Sequence, residues 1–331
     1  MIFFVQHIDR LVNHLINIKN KKQSKMKNTV FITGTNSGFG KAMVELFATK
    51  GWNVAATVRN KSEHPDLFKG MQNIKIYELD ITDYQQTNEV AKSVIVDFKK
   101  IDVVVNNAAY CLMGPTETTT MEQIENQFKT NVFGLMAVSK AFIPHFRENN
   151  SGLFINFSSA SARFNYPYIA SYGGSKWAVR GISESLGIEL KPYGIEVKTV
   201  YPGVHATKIF TKLDHGANGN DPVYIKNYKQ YFTNFLGAQS SVTSVTAPET
   251  VAMEVFKEAS NPKGGRLNII AGGDAKMYEF MKKVLPERAF QKQLVNSIIK
   301  PITAGGVTMF KLILGKNIKP LYTSIPENLT K

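Results

Sequence analysis

The 331-residue sequence predicts a doubly wound α/β fold, a parallel seven-stranded sheet between two layers of helices. Three observations point to it. Seven short β-branched runs, at residues 29–33, 53–58, 74–79, 102–105, 153–157, 196–200 and 266–270, alternate with amphipathic helical patterns. Such alternation builds a parallel sheet covered on both faces. A glycine-rich loop joins the first run to the first helical pattern. After the sixth run the alternation breaks for residues 203–247, an insertion at the carboxyl end of the strands, where open α/β sheets bind their ligands.

Residues 1–27 form an N-terminal extension that places Phe4, Ile8, Leu11, Val12 and Leu15 at helical spacing, followed by Lys19, Lys21, Lys22, Lys25 and Lys27. Three readings fit: an amphipathic membrane-surface helix with a polybasic tail, a helix packed on the domain, or a segment preceding a native start at Met26. Of the net charge of +14, residues 1–27 hold +5 and residues 276–331 hold +7, so the main domain is near neutral. A basic character confined to the flanks argues against nucleic-acid binding and leaves room for peripheral contact with an anionic membrane. No apolar stretch reaches the roughly 18 residues of a membrane span, and no secretory signal is legible. The single cysteine, Cys111, excludes internal disulfides and reads as a small buried apolar group; a reducing cytoplasmic location is expected.

The first run, Thr29-Val30-Phe31-Ile32, leads into Thr33-Gly34-Thr35-Asn36-Ser37-Gly38-Phe39-Gly40 and a helical pattern. Glycines there let backbone N–H groups approach a pyrophosphate at the positive end of a helix. The spacing is not G-x-G-x-x-G, whose last position would fall on Met43. Nor is it a triphosphatase phosphate loop, because Lys41 is followed by Ala42. Far downstream, Tyr172 and Lys176 lie four residues apart, on one face of a predicted helix. An ammonium beside a phenol of pKa about 10 favours tyrosinate and makes the pair a tunable proton donor and acceptor.

These stretches belong to a longer series: Asp80 in Leu79-Asp80-Ile81; Asn106-Asn107-Ala108-Ala109; Asn131 in Asn131-Val132-Phe133-Gly134; Ser159; and Pro202-Gly203 with Thr207. In this order they resemble the short-chain dehydrogenase/reductase family, in its T-G-x-x-x-G-x-G subgroup, over residues 29 to about 270. Ala109, where glycine is commoner, is a minor departure. The resemblance implies a Rossmann fold, a nicotinamide cofactor, and hydride transfer to or from a ketone, aldehyde or secondary alcohol. It implies that Tyr172 is the general acid/base, that Ser159 binds the substrate oxygen, and that Lys176 binds the nicotinamide ribose. Asn131 would hold a water joining Lys176 to solvent. Gly34, Thr35, Ser37, Gly38, Phe39, Gly40, Ile81, Asn107, Ala108, Pro202 and Gly203 would line the cofactor site, with Thr207 at the carboxamide. Asp80 would contact the adenine, or cap the helix before Tyr84. A homo-oligomer is the family's habit.

An NAD site places a carboxylate at the end of the second strand. Here Ala56-Thr57-Val58-Arg59-Asn60 holds no acid. Arg59 offers a guanidinium, and Ser37 a hydroxyl, to a 2′-phosphate, so NADP(H) is favoured over NAD(H). Tyr224, Tyr228, Tyr231, Phe232 and Phe235 recur at helical spacing within the insertion, which reads as a lid; the rings either pack the lid helix itself or face the pocket, in which case the substrate is a hydrophobic small molecule.

His7, His14, His64, His145, His205 and His215 show no metal-ligand spacing, so no metal is expected. His205 reads as a loop or structural residue beside the cofactor pocket. Two rival functions were weighed: a non-enzymatic NADP(H)-binding sensor, against which the intact Ser159, Tyr172 and Lys176 argue, and sugar-nucleotide epimerisation or dehydration, against which the glycine spacing argues. In the basic C-terminal extension, residues 276–331, Met277, Phe280, Met281 and Val284 form one predicted helical face, and a short apolar segment spans 301–314. The extension is suited to covering the substrate mouth, supporting an oligomer or docking on an anionic bilayer.

Overall fold

Val30, Phe31 and Ile32 are fully buried, and the strand they form lies at the centre of the sheet. The computed structural model describes residues 27–203, 205, 214–215, 228, 231 and 247–299. In chain order the elements are β1 (Thr29–Ile32), α1 (Gly38–Thr49), β2 (Asn53–Val58), β3 (Ile74–Glu78), α2 (Tyr84–Phe98), β4 (Val103–Asn106), β5 (Leu112–Met113) and α3 (Met121–Phe128). A π-helical turn (Lys129–Gly134) leads into α4 (Leu135–Glu148) and β6 (Gly152–Phe157). Then come α5 (Ala170–Leu190), β7 (Ile195–Pro202), β8 (Asp214–His215), α6 (Pro248–Ala259), β9 (Asn268–Ala271), α7 (Gly273–Val284) and α8 (Glu287–Ile299).

The seven-stranded sheet runs β3-β2-β1-β4-β6-β7-β9 with every pairing parallel. Each of the seven expected runs is a strand of this sheet. The chain builds outward from β1 through β2 to β3, then returns to the other side of β1 with β4. That reversal opens a crevice at the carboxyl ends of the strands. Helices α1 and α6 cover one face, where Val44, Phe47, Val251 and Val255 share a core. On the other face Val94, Val138, Phe142 and Phe146 pack against Phe31 and Phe154. Burying a side chain of this size contributes about 1.5–3 kcal/mol, which explains continuous rather than alternating apolar runs.

Lys198 on β7 fastens the last strand. Its side chain is 1 % exposed and donates to Glu258 Oε2 at 2.9 Å and to the carbonyls of Asn261 and Gly264 at 2.9 and 2.7 Å. Glu258 also accepts from Arg266 N and Nε, both at 3.0 Å. Arg266 is thereby held ahead of β9 rather than in it.

The C-terminal helical face differs from the expectation. Met277 is buried and Met281 packs inward, but Phe280 is 64 % and Val284 55 % exposed. The face that packs is centred instead on Tyr278, whose ring lies 4.8 Å from Phe164 and 5.9 Å from Tyr166. The N-terminal helix, Thr207, Tyr224, Phe232, Phe235 and the 301–314 segment lie outside the described residues. Among the described residues no helix is long and apolar enough to cross a membrane.

Candidate active site

A cavity of about 630 Å³ runs along the carboxyl ends of the strands, from Arg59 after β2 and Asp80 after β3 to Pro202 and Gly203 at the end of β7. The loop after β1 forms its floor. Thr33 Oγ1 accepts from the N–H groups of Asn107 and Ala108, both at 3.0 Å, and Asn107 Nδ2 donates to the carbonyls of Thr33 and Gly34 at 2.8 and 3.0 Å. Gly34 sits at φ +69°, and a Cβ there would approach Ala108 Cα to 2.9 Å. A Cβ on Gly40 would lie 2.1 Å from the Gly34 carbonyl oxygen. Only glycines at these two positions let α1 start so close to the loop. Thr35 does not line the cavity: its N and Oγ1 both donate to the Thr57 carbonyl, at 2.9 and 3.0 Å, tying the loop to β2.

Helix α1 begins after Ser37 with no side-chain cap and no acid in its first turn. Its positive end therefore opens onto the cavity beside Ser37, Gly38 and Phe39, a donor set that fits the pyrophosphate of a dinucleotide. At the β2 end Arg59 is exposed, lines the cavity and makes no ion pair among the described residues. Asp80 Oδ1 accepts from Thr82 N and Oγ1, both at 2.8 Å. The alternative of Asp80 as a helix cap is corrected: Asp83 caps α2, accepting from Gln86 N at 2.9 Å. Ile81 lines the cavity and packs on Gly134.

At the β6 end Ser159, Tyr172 and Lys176 meet. Tyr172 and Lys176 share a face of α5, and both line the cavity together with Ser159. Lys176 is 3 % exposed; its Nζ donates to the Phe157 carbonyl at 2.9 Å and stands 5.8 Å from the Tyr172 ring centroid. Burial pushes Lys176 down to about 8. Burial also raises Tyr172, with Cys111 adding to the rise and the neighbouring Ser159 hydroxyl opposing it. The sequence argument expects the ammonium to lower the tyrosine; the loss of water around the phenol raises it instead.

Asn131 occupies the π turn and is buried. Its Oδ1 accepts from Tyr110 N at 3.1 Å, and its Nδ2 donates to the Tyr110 carbonyl at 3.0 Å and to Ser175 Oγ at 3.1 Å. Ser175 Oγ in turn donates to the Tyr172 carbonyl at 2.6 Å. The Asn131 carboxamide therefore reaches α5 through Ser175.

The cavity wall beside Ser159 holds residues that sequence reasoning did not place there: Cys111, Met113, Tyr166 and Ile169. Cys111 is buried as expected, and burial pushes its thiol up to about 12. Of the expected lid aromatics, Tyr231 lines the cavity, while Tyr228 is buried against Tyr168 with ring centroids 5.3 Å apart. His205 also lines the cavity.

A crevice at the sheet's switch point, an uncapped helix end and a Ser–Tyr–Lys cluster together define an oxidoreductase that uses a nicotinamide dinucleotide. The family model described as short chain dehydrogenase matches residues 28–218, and the chain belongs to that family. It is 32 % identical over 280 residues to the oxidoreductase YusZ of Bacillus subtilis, covering 82 % of this chain and 99 % of that protein. It is 33 % identical over 174 residues to 3-ketodihydrosphingosine reductase of Bacteroides thetaiotaomicron, covering 53 % of this chain and 62 % of that one. The solved structure of ElxO with NADP bound superposes with a TM-score of 0.64 at 25 % identity, over 76 % of this chain and all of the other. The protein is an NAD(P)-dependent oxidoreductase acting on CH–OH or C=O groups of small molecules.

Proposed function

We propose that this protein reduces the carbonyl of a hydrophobic small molecule with NADPH, Tyr172 serving as the general acid. The observation that carries this reading is the convergence of Ser159, Tyr172 and Lys176 on one cavity, with the Lys176 ammonium 5.8 Å from the Tyr172 ring centroid. When bound, the dinucleotide supplies the hydride. Ser159 and Tyr172 hold the substrate oxygen between two hydroxyl groups. Because burial keeps the phenol protonated, Tyr172 has a proton to give as charge develops on that oxygen. The buried Lys176 ammonium, with no carboxylate partner among the described residues, then stabilises the tyrosinate left behind. Asn131 positions α5 through Ser175.

The preference for NADPH rests on Arg59, a guanidinium without an ion pair among the described residues, at the end of a strand that carries no acid. The substrate class rests on the wall of Cys111, Met113, Ile169, Tyr166 and Tyr231, and on the similarity to a relative named for reducing a ketodihydrosphingosine. We take residues 28–275 as the catalytic domain; the lid expected over residues 203–247 lies mostly outside the described residues, and α7, which crosses into residues 276–331, packs through Tyr278 on Phe164. The experiment is NADPH oxidation followed by absorbance against ketones of increasing alkyl length, with Tyr172→Phe in parallel. Rising kcat/KM with chain length, lost in the variant, supports the reading. NADPH binding without turnover of any carbonyl would refute it.

A further inference from the structure

Gln127, near the end of α3, is fully buried, and both ends of its carboxamide are used outside its own helix. Oε1 accepts from Leu112 N at 2.7 Å, and Nε2 donates to the Tyr110 carbonyl at 2.9 Å. The main chain dictates this orientation, because an N–H only donates and a carbonyl only accepts. One turn on, Asn131 takes Tyr110 N and shares the Tyr110 carbonyl.

In an extended chain the polar groups of residues i and i+2 point to one edge. Here three such groups, Tyr110 N, Tyr110 O and Leu112 N, meet two side chains where a sheet would supply a neighbouring strand. A buried edge without a strand is matched in this way or keeps unpaired polar groups.

The residue between the two gripped positions is Cys111. It lines the cavity, is 6 % exposed, and belongs to an apolar cluster with Met113, Ile169 and Tyr231, against which Tyr172 packs. It stands near enough to act on the proton affinities of both Tyr172 and Lys176. Gln127 does not line the cavity itself. We propose that Gln127 is a positioning residue for substrate selection: by gripping the chain on both sides of Cys111 it holds that side chain against the space beside Tyr172, and so limits the bulk accepted next to the carbonyl. This rests on the proposed carbonyl reduction.

The experiment uses the full chain and three variants. Gln127→Leu removes both hydrogen bonds, Gln127→Asn is the milder change, an amide one methylene too short to span both partners, and Cys111→Ala keeps the grip but removes the thiol. The first measurement is kcat/KM for a straight-chain and an α-branched methyl ketone of equal carbon number. All three variants should raise the branched-to-straight ratio, Gln127→Leu and Cys111→Ala by about tenfold, the discrimination one methylene carries in an apolar pocket, with NADPH affinity unchanged. A role confined to stability lowers both rates alike; an unmoved ratio in the folded Gln127 variants, or in Cys111→Ala, overturns the inference.

The second measurement needs no substrate. Cys111 is the sole thiol of the chain, and burial pushes it up to about 12, so the wild type should react slowly with methyl methanethiosulfonate. Both Gln127 variants should react at least about tenfold faster at temperatures well below their melting. Equal thiol rates in wild type and variants overturn the grip on Cys111. If no form, wild type included, reduces any carbonyl, the reduction reading falls and the selection with it, a failure that the thiol rates tell apart from loss of the grip alone.

Discussion

Lys176 and Tyr172 sit one turn apart on α5, the ammonium 5.8 Å from the phenol ring centroid, and burial moves their proton affinities in opposite directions. The phenol is made a firmer holder of its proton and the ammonium a looser one. A buried cation that lacks a carboxylate is costly to fold, and under the proposed mechanism the anion it accommodates is the tyrosinate left by proton transfer.

Tyr172→Phe removes the proton donor and leaves the packing of the ring. Turnover should fall by about 10²–10⁴-fold, with NADPH affinity unchanged by titration. Wild-type rates in the variant would mean that the proton comes from elsewhere.

Lys176 titrates near 8 in the folded protein against an ordinary 10.5. Between those values the unfolded chain binds more protons, so stability should rise with pH across this window as the cost of the buried ammonium is relieved. Tyr172, whose raised affinity acts in the reverse sense, begins to oppose the rise only near an unfolded pKa of about 10. Urea denaturation without cofactor reads the slope between about pH 8 and 9.5. Lys176→Met should flatten it, and should stabilise the protein at neutral pH by about 1–3 kcal/mol while abolishing turnover.

Arg59→Ala should weaken NADPH binding by about 10–100-fold, the worth of a charge-assisted contact, and leave NADH binding as it was. Equal effects on the two cofactors would remove Arg59 from the 2′-phosphate site.

Gly40→Ala should destabilise the fold by about 1–3 kcal/mol and reduce cofactor affinity, because the new methyl meets the Gly34 carbonyl. Gly51→Ala is the comparison. It has φ +84° but nothing within 4 Å, so it should cost stability through backbone strain and leave cofactor binding intact. Thermal unfolding and NADPH titration of both variants separate the two effects.

Arg163 and Glu279 form a largely buried ion pair that joins the segment after β6 to α7. Glu279→Gln should lower the melting temperature, with a cost of up to about 3–5 kcal/mol, by leaving the guanidinium uncompensated. If α7 braces the wall through Tyr278, the KM for carbonyl substrate should rise while the NADPH dissociation constant holds.

The strands were legible because both faces of the sheet are covered, which turns each strand into a continuous β-branched run such as Val103-Val104-Val105. The two-residue strands β5 and β8 carry no such pattern and were not anticipated. The glycine loop and the Tyr172–Lys176 pair were legible because backbone approach and helical periodicity fix their spacing. The walls were not. Cys111, Tyr166 and Tyr231 come from three separate stretches and meet only in the tertiary fold. The hydroxyl of Tyr278 hides it among the polar positions of α7, whereas Phe280, apolar by sequence, faces out. Assigning the α2 cap to Asp83 rather than Asp80 depends on loop geometry within three residues, below what spacing resolves.

Between α3 and α4 the helix is overfull. The turn at Lys129–Gly134 is wound in π fashion, with one residue more than an α-helical turn would hold. Deleting one residue there would let α3 and α4 fuse into a single regular helix, more resistant to heat, and would rotate Asn131 away from Tyr110 and Ser175. Under the proposed mechanism robustness and turnover are set against each other in one short segment, and a selection for thermostability alone would be expected to erase it.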